Sequence, residues 1–229
     1  MKKTTIVATL LLIVLFIQGC GGVKVINAWK AEESVVDLFK EKKILVIART
    51  SDNQARVAFE LELADDLRQH GLNAVESYTK APKIHPEREM TEERMNFIKS
   101  ILKSEGFNAI ILTVIKDKKL TQTTTQNGVY MGMGYGYPGY YGGFNSYYRY
   151  PYAYGPYYSS FGGYIPTGTT TSTSTEYVLE TVAYNLDEPE EKQLVAVVTT
   201  TLKNPKDAYK TAETYVSKIL ESLQKVETN

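Results

Sequence analysis

Two uninterrupted apolar runs constrain the fold more than any other feature of the chain. Ile44-Leu45-Val46-Ile47-Ala48 and Ala109-Ile110-Ile111-Leu112-Thr113-Val114-Ile115 have strand length and lack the polar alternation of a half-exposed strand. Runs of this kind belong to strands buried on both faces, so layers must cover the sheet above and below. Two helical patterns lie between them. The first opens after a cap at Ser51 or Asp52, repeats Val57, Leu61, Ala64 and Leu67 at helical spacing, and stops at Gly71. The second is capped by Thr91, places Met90 and Met95 for a hydrophobic staple, carries Ile98, Ile101 and Leu102 as its apolar stripe, and ends at Gly106. A more mixed strand over 72–78 separates the two helices. In a β-α-β-α-β series right-handed crossovers dictate parallel strands, here with the mixed strand at an edge.

After residue 115 the alternation changes. Strands over 171–185 and 193–202 join across the acidic turn Asp187-Glu188-Pro189-Glu190-Glu191, and consecutive strands that close pair antiparallel. Asn204 and Pro205 suit an N-cap and the first helical position, with Asp207 following. Ala212, Tyr215, Ile219 and Leu223 form the stripe of a last helix. The expected class is α/β: a mixed five-stranded sheet of order 2-1-3-4-5, its first three strands parallel and its last two antiparallel, with three helices. One domain covers 43–225.

The amino terminus carries a different signal. Lys2 and Lys3 precede an apolar stretch, Thr4 to Ile17, that closes on Ile17-Gln18-Gly19-Cys20. A membrane-spanning helix needs about 20 apolar residues, so residues 1–19 read as a signal peptide. The segment resembles the lipobox of bacterial lipoproteins. That resemblance implies that Cys20 becomes the mature amino terminus and carries a diacylglycerol and an N-acyl chain, anchoring the protein to a lipid bilayer. Gly21, where Asp would signal inner-membrane retention, implies the outer membrane, with the domain facing the periplasm. Residues 20–42 are then a lipidated tether and approach segment. Within it the single Trp29 either clamps the start of the fold or meets a partner or the membrane interface. Cys20 is the only cysteine, so once acylated it leaves no thiol for a disulfide, a metal or a nucleophile, and the core alone must hold the domain.

Between the third and fourth strands lies an insertion, 126–168. Residues 128–164 hold 13 of the 18 tyrosines, interleaved with Gly, Pro and Ser, and Arg149 is their only charge. Threonine runs on either side suit a pleated ribbon that would carry the segment at its tip. The segment is either a low-complexity spacer or an adhesive surface. In the second reading Tyr140, Tyr141, Tyr147, Tyr148, Tyr157 and Tyr158 stack on sugars or pack on proteins. An envelope protein, peptidoglycan or another glycan is then the expected partner, with self-association as a further candidate. Nucleic acid is not expected. The chain balances 26 basic against 26 acidic residues, and removal of Lys2 and Lys3 leaves 24 against 26, about −2, where phosphate binding needs a basic face.

Motifs of catalysis are lacking. The sequence has no nucleophile elbow, phosphate loop, dinucleotide fingerprint or His-Glu zinc pattern. Of the two histidines, His70 sits at a helix end beside Gly71, and His85 lies in Lys83-Ile84-His85-Pro86-Glu87 without further ligands. The acidic turn lacks the ligand alternation of a calcium loop. No catalytic or metal-binding residue is assigned, and no cofactor is expected beyond the lipid on Cys20. One location remains for a ligand, beyond the carboxyl ends of the first and third strands, where the strand order reverses. Arg49, Asp52 and Asn53 stand there, with helix-start amides that could hold an anion or could simply be capped.

Ile17–Cys20, Val25-Ile26-Asn27-Ala28-Trp29-Lys30, Lys43–Ala48 and the tyrosine-rich insertion together resemble a group of uncharacterised bacterial lipoproteins. In element order the chain is also similar to the amino-terminal domain of TolB, the CsgG secretion lipoprotein and the lipoprotein activators of penicillin-binding proteins. The likeness implies a non-enzymatic envelope binding or scaffold module, with a self-associating assembly or secretion accessory as the alternative. An enzyme would need a constellation drawn from scattered Asp, Glu, Ser and Tyr. The likeness of fold transfers no site.

Overall fold

The computed structural model describes residues 22–80, 91–121, 125–130, 143–144, 164–170 and 174–226. In chain order the elements are β1 (Val23–Lys30), α1 (Glu33–Lys40), β2 (Lys43–Arg49), α2 (Asn53–Gln69), β3 (Asn73–Glu76), α3 (Glu92–Glu105), β4 (Ala109–Thr121), β5 (Thr125–Tyr130), β6 (Tyr164–Thr170), β7 (Ser174–Asn185), β8 (Leu194–Lys203) and α4 (Ala208–Lys225). Six strands form one mixed sheet in the order β1-β8-β7-β4-β2-β3, and β5 pairs with β6 in a separate ribbon. β2 runs parallel to β3 and β4, while β4, β7, β8 and β1 alternate antiparallel.

The α/β class holds, but five strands and three helices become six and four. The segment expected as tether and approach supplies the difference, β1 and α1. β1 escapes a period-two reading because its register shifts between Val25 and Asn27. A bulge there reverses the alternation: Val23, Val25 and Ala28 meet one core while Ile26 and Trp29 meet the other. Trp29 is thus a packed residue of the edge strand, the clamp of its two readings.

Each face of the sheet has its own core. On one, Met95, Ile98 and Leu102 of α3 cover Leu45, Ile110, Leu112 and Val182. On the other, Phe39 of α1, Leu63 and Leu67 of α2, and Tyr215, Val216 and Ile219 of α4 cover Ile44, Val46, Ile111 and Val198. α2 lies against both the sheet and α4, so its buried face is wider than its sequence stripe. Ala58, Leu63, Ala64 and Leu67 are buried, whereas Val57 and Leu61 are half-buried.

The caps explain where helices begin. Asp52 accepts from the amides of Gln54 (2.9 Å) and Ala55 (3.1 Å), and Thr91 caps α3. Gly106 ends α3 at φ 71°, where a Cβ is disfavoured. α4 starts later than its sequence suggests. Asp207 is the cap, accepting from the Lys210 amide at 2.9 Å, while Asn204 takes φ 46° and its Oδ1 accepts from the Thr175 amide at 2.8 Å. Met90 and His85 lie outside the described residues.

The insertion is not wholly peripheral. β5 and β6 form the expected threonine ribbon, with Thr125 opposite Thr170. Between them Phe144 is 3% exposed, meets Tyr184 edge-on at 6.2 Å, and donates its N–H to Gln193 Oε1 at 3.1 Å. A residue of the tyrosine segment therefore belongs to the α3-side core.

Candidate ligand pocket

The carboxyl ends of the neighbouring parallel strands β2 and β4 lie side by side, with β2 leading into α2 and β4 toward β5, and open α/β sheets bind ligands beyond such strand ends. A cavity of about 580 Å³ opens there, within the roughly 300–1,000 Å³ of small-molecule sites. Its rim joins the starts of two helices: Ser51, Asp52 and Gln54 before and within α2, and Lys206, Asp207 and Thr211 before and within α4. Phe59, Ile115, Tyr177, Leu179 and Leu202 give it an apolar floor, with Thr113 among them.

Two lysines and two carboxylates stand at the cavity, Lys118 and Lys206 against Asp52 and Asp207, while Arg49 pairs with Val114 of the α3-side core and turns its side chain to the other face of the sheet. Both carboxylates are engaged in capping. Lys118 Nζ stands 5.6 Å from the centre of the Tyr177 ring, a cation–π contact that holds charge over an apolar surface. Arg49 is almost fully buried.

Behind the floor, Thr113 Oγ1 lies 2.8 Å from Thr181 Oγ1, which lies 2.7 Å from Tyr215 Oη. Burial pushes the Tyr215 hydroxyl up to about 12, so this chain carries hydrogen bonds and offers no base near neutrality. Behind β2, Glu60 is fully buried and accepts from Ala48 N, Arg56 Nε, Ser77 Oγ and Tyr78 N at 2.7–3.0 Å. That carboxylate fixes the end of β2 against α2 and β3.

A further buried pair occupies the α3-side face. The register of β4 shifts between Ile115 and Asp117, and the extra residue, Lys116, reaches Glu180 Oε2 at 3.5 Å with both side chains closed to solvent. Burial pulls the Lys116 ammonium below its ordinary range, opposed by the Glu180 charge. Burial, then Glu180, raises the Tyr184 hydroxyl. Among the described residues no group of three His, Cys, Asp or Glu side chains is placed to hold a metal ion.

Arg49 and Asp52, expected from the sequence at this strand end, both border the cavity, Arg49 with its side chain on the other face of the sheet. Asn53 begins α2, is exposed and stands outside the lining. Cys20 and the tyrosines Tyr140, Tyr141, Tyr147, Tyr148, Tyr157 and Tyr158 lie outside the described residues. Sequence reasoning missed Phe59, Lys118, Tyr177, Lys206 and Thr211. The helix start near Asn204 was visible, but its position beside the start of α2 depends on long-range packing.

No protein-family model matches the chain, and no curated protein does. Among solved structures it is similar to the PelC dodecamer from Paraburkholderia phytofirmans, with 11% identity, 91% of this chain and 100% of that chain covered, and a TM-score of 0.40. A point variant of that PelC dodecamer aligns with 12% identity, 90% and 99% coverage and a TM-score of 0.38. Scores of this size fall below the level that marks a shared fold.

Proposed function

We propose that the chain is an outer-membrane lipoprotein, acylated on Cys20 with its domain in the periplasm, and that it acts as a non-enzymatic binding or scaffold module of the cell envelope. The observation that carries this reading is the junction between lipobox and fold. Cys20 stands three residues before Val23, the first residue of an edge strand. A chain whose sheet begins at the acylation site is held close to the bilayer, since three residues span at most about 10 Å. Buried carboxylate and ammonium groups such as Glu60, Glu180 and Lys116 serve the core and are closed to substrate.

In this reading the tyrosine-rich insertion, carried out by the β5–β6 ribbon, contacts an envelope protein or peptidoglycan. Tyrosine supplies a large apolar face and a polar tip with few rotatable bonds. The test is co-sedimentation of the purified lipoprotein, in mild detergent, with peptidoglycan sacculi. A variant carrying Tyr→Ser at 140, 141, 147, 148, 157 and 158 is compared, with Phe144 retained so that the core is left intact. Pelleting of the native chain that the variant loses supports the wall as ligand. Equal pelleting of both, or none by either, refutes the role given to the tyrosines toward peptidoglycan.

A further inference from the structure

The sheet register relates the pocket to the anchor. Val23 pairs with Leu202, Leu202 with Tyr177, and Tyr177 with Lys118. One row across four strands thus runs from the first residue of β1 into the wall of the cavity. Three strand spacings amount to about 14 Å, and Cys20 is within about 10 Å of Val23. The carboxyl ends of β2, β4 and β8 and the starts of β1 and β7 share this end of the sheet. The cavity therefore opens at the anchored end of the domain.

The surface of that end suits a bilayer. Leu120 is 69% and Tyr209 50% exposed, Leu120 two residues beyond Lys118 and Tyr209 in the first turn of α4. Lys118 and Lys206 are exposed at the same end, as is Lys203, which pairs with Glu176. Aromatic, apolar and lysine side chains set together are the composition of a protein surface at the lipid–water boundary.

We infer that the cavity binds an anionic amphiphile drawn from the bilayer. The phosphate or carboxylate head sits at the rim with Lys118 and Lys206, and a segment of acyl chain lies on the floor of Phe59, Leu179 and Leu202. Each half of the lining matches one half of such a molecule. A simple inorganic anion would leave the apolar floor wet, and an uncharged hydrocarbon would leave the cationic rim unanswered. Withdrawal from the membrane as the source rests on the Cys20 anchor; the chemical class of the ligand rests on the cavity alone.

The test uses the full-length lipoprotein, reconstituted into phosphatidylcholine vesicles that contain one of three diazirine-bearing probes: phosphatidylglycerol, phosphatidylcholine or palmitate. After irradiation, digestion and mass spectrometry locate the label. The expected result is labelling of peptides that carry Phe59, Leu179 or Leu202 by phosphatidylglycerol well above phosphatidylcholine. The double substitution K118E/K206E should lower that labelling about tenfold or more, given the charge attraction of lysines at an anionic surface. Both lysines are exposed, so the urea midpoint should stay unchanged. The equal charge change K103E/K192E, made on exposed residues away from the cavity, should leave labelling intact.

Labelling of the same peptides by palmitate in place of phosphatidylglycerol supports the ligand class and assigns the source to free acids. Equal labelling by phosphatidylcholine and phosphatidylglycerol, insensitive to K118E/K206E, overturns the anionic head. Absence of label from cavity peptides with all three probes overturns the site. The intact mass of the purified chain reports separately on the anchor, and a mass without diacylglycerol refutes that reading whatever the labelling shows.

Discussion

Replacing Glu60 by alanine tests a buried carboxylate that accepts four hydrogen bonds. Its Oε1 accepts from Ala48 N (3.0 Å), Arg56 Nε (3.0 Å) and Ser77 Oγ (2.8 Å), and its Oε2 accepts from Tyr78 N (2.7 Å). The side chain is fully buried and that of Arg56 is 8% exposed. Truncation leaves the guanidinium its bond to Ser77 Oγ at 3.0 Å but removes the Glu60 charge beside it. Breaking a buried pair in this way costs about 3–5 kcal/mol. Two backbone amides also lose their acceptor, at roughly 1–3 kcal/mol each where no water enters, so the upper part of the range is expected. Set against a total stability of about 5–15 kcal/mol for a domain, the variant should be marginal. Glu60→Gln keeps the volume and one acceptor but turns an amide group toward one of the four donors, and should lose about 2–3 kcal/mol. The assay is urea unfolding followed by circular dichroism and by Trp29 fluorescence, with coincident transitions as the check on two-state behaviour. A loss below about 1 kcal/mol for Glu60→Ala would refute the reasoning, because the four donors would then be satisfied without the carboxylate.

Other expectations follow from single contacts. Tyr215, raised to about 12 in the folded chain, keeps its proton where the unfolded chain loses it near 10. Its contribution to stability should therefore be intact below pH 10 and be lost as pH rises toward 12, by about 2.7 kcal/mol at most, beside that of Tyr184, which burial also raises. Tyr215→Phe should lessen, without abolishing, the decline in urea midpoints between pH 9 and 11. Phe144→Ala should destabilise by about 3–5 kcal/mol in thermal or urea unfolding, whereas a change within about 0.5 kcal/mol, usual for a surface site, would place Phe144 outside the core. Gly106→Ala, at φ 71°, should cost about 1 kcal/mol by the same assay. Glu180→Gln, which keeps the volume but removes the charge facing Lys116, should cost about 2–3 kcal/mol by the same assay.

What the sequence disclosed follows the strength of its periodicities. β2 and β4 are apolar throughout because both faces are covered, and their runs located the sheet and the strand ends at the cavity. α3 was legible from its stripe, the Thr91 cap and Gly106, and α4 from its stripe, though not from its cap. β1 was not, because a bulge breaks its alternation and an edge strand shares only one border. α1 has eight residues and one buried side chain, Phe39, too little pattern to separate it from a loop. In the pocket, Arg49 and Asp52 were legible because a strand end followed by a cap is a local arrangement. Lys118, Tyr177 and Leu202 come from three strands brought into one row by pairing, and Lys206 and Thr211 from a helix docked beside α2. The bulge at Lys116 turns a lysine inward, which no alternation rule anticipates.

Phe144 changes how the insertion can act on anything it touches. The residue divides the tyrosines along the chain into two sets, Tyr135, Tyr137, Tyr140 and Tyr141 before it and Tyr147 to Tyr158 after it. The second contact of a ligand that meets both is made at an effective concentration fixed by the first. A partner with repeating units, such as a glycan strand, would gain avidity from such a division where a single small molecule would not. Because Phe144 rests on Tyr184 and Gln193, tension from such a partner would pass into β7 and the start of β8, and onward across the sheet to β1.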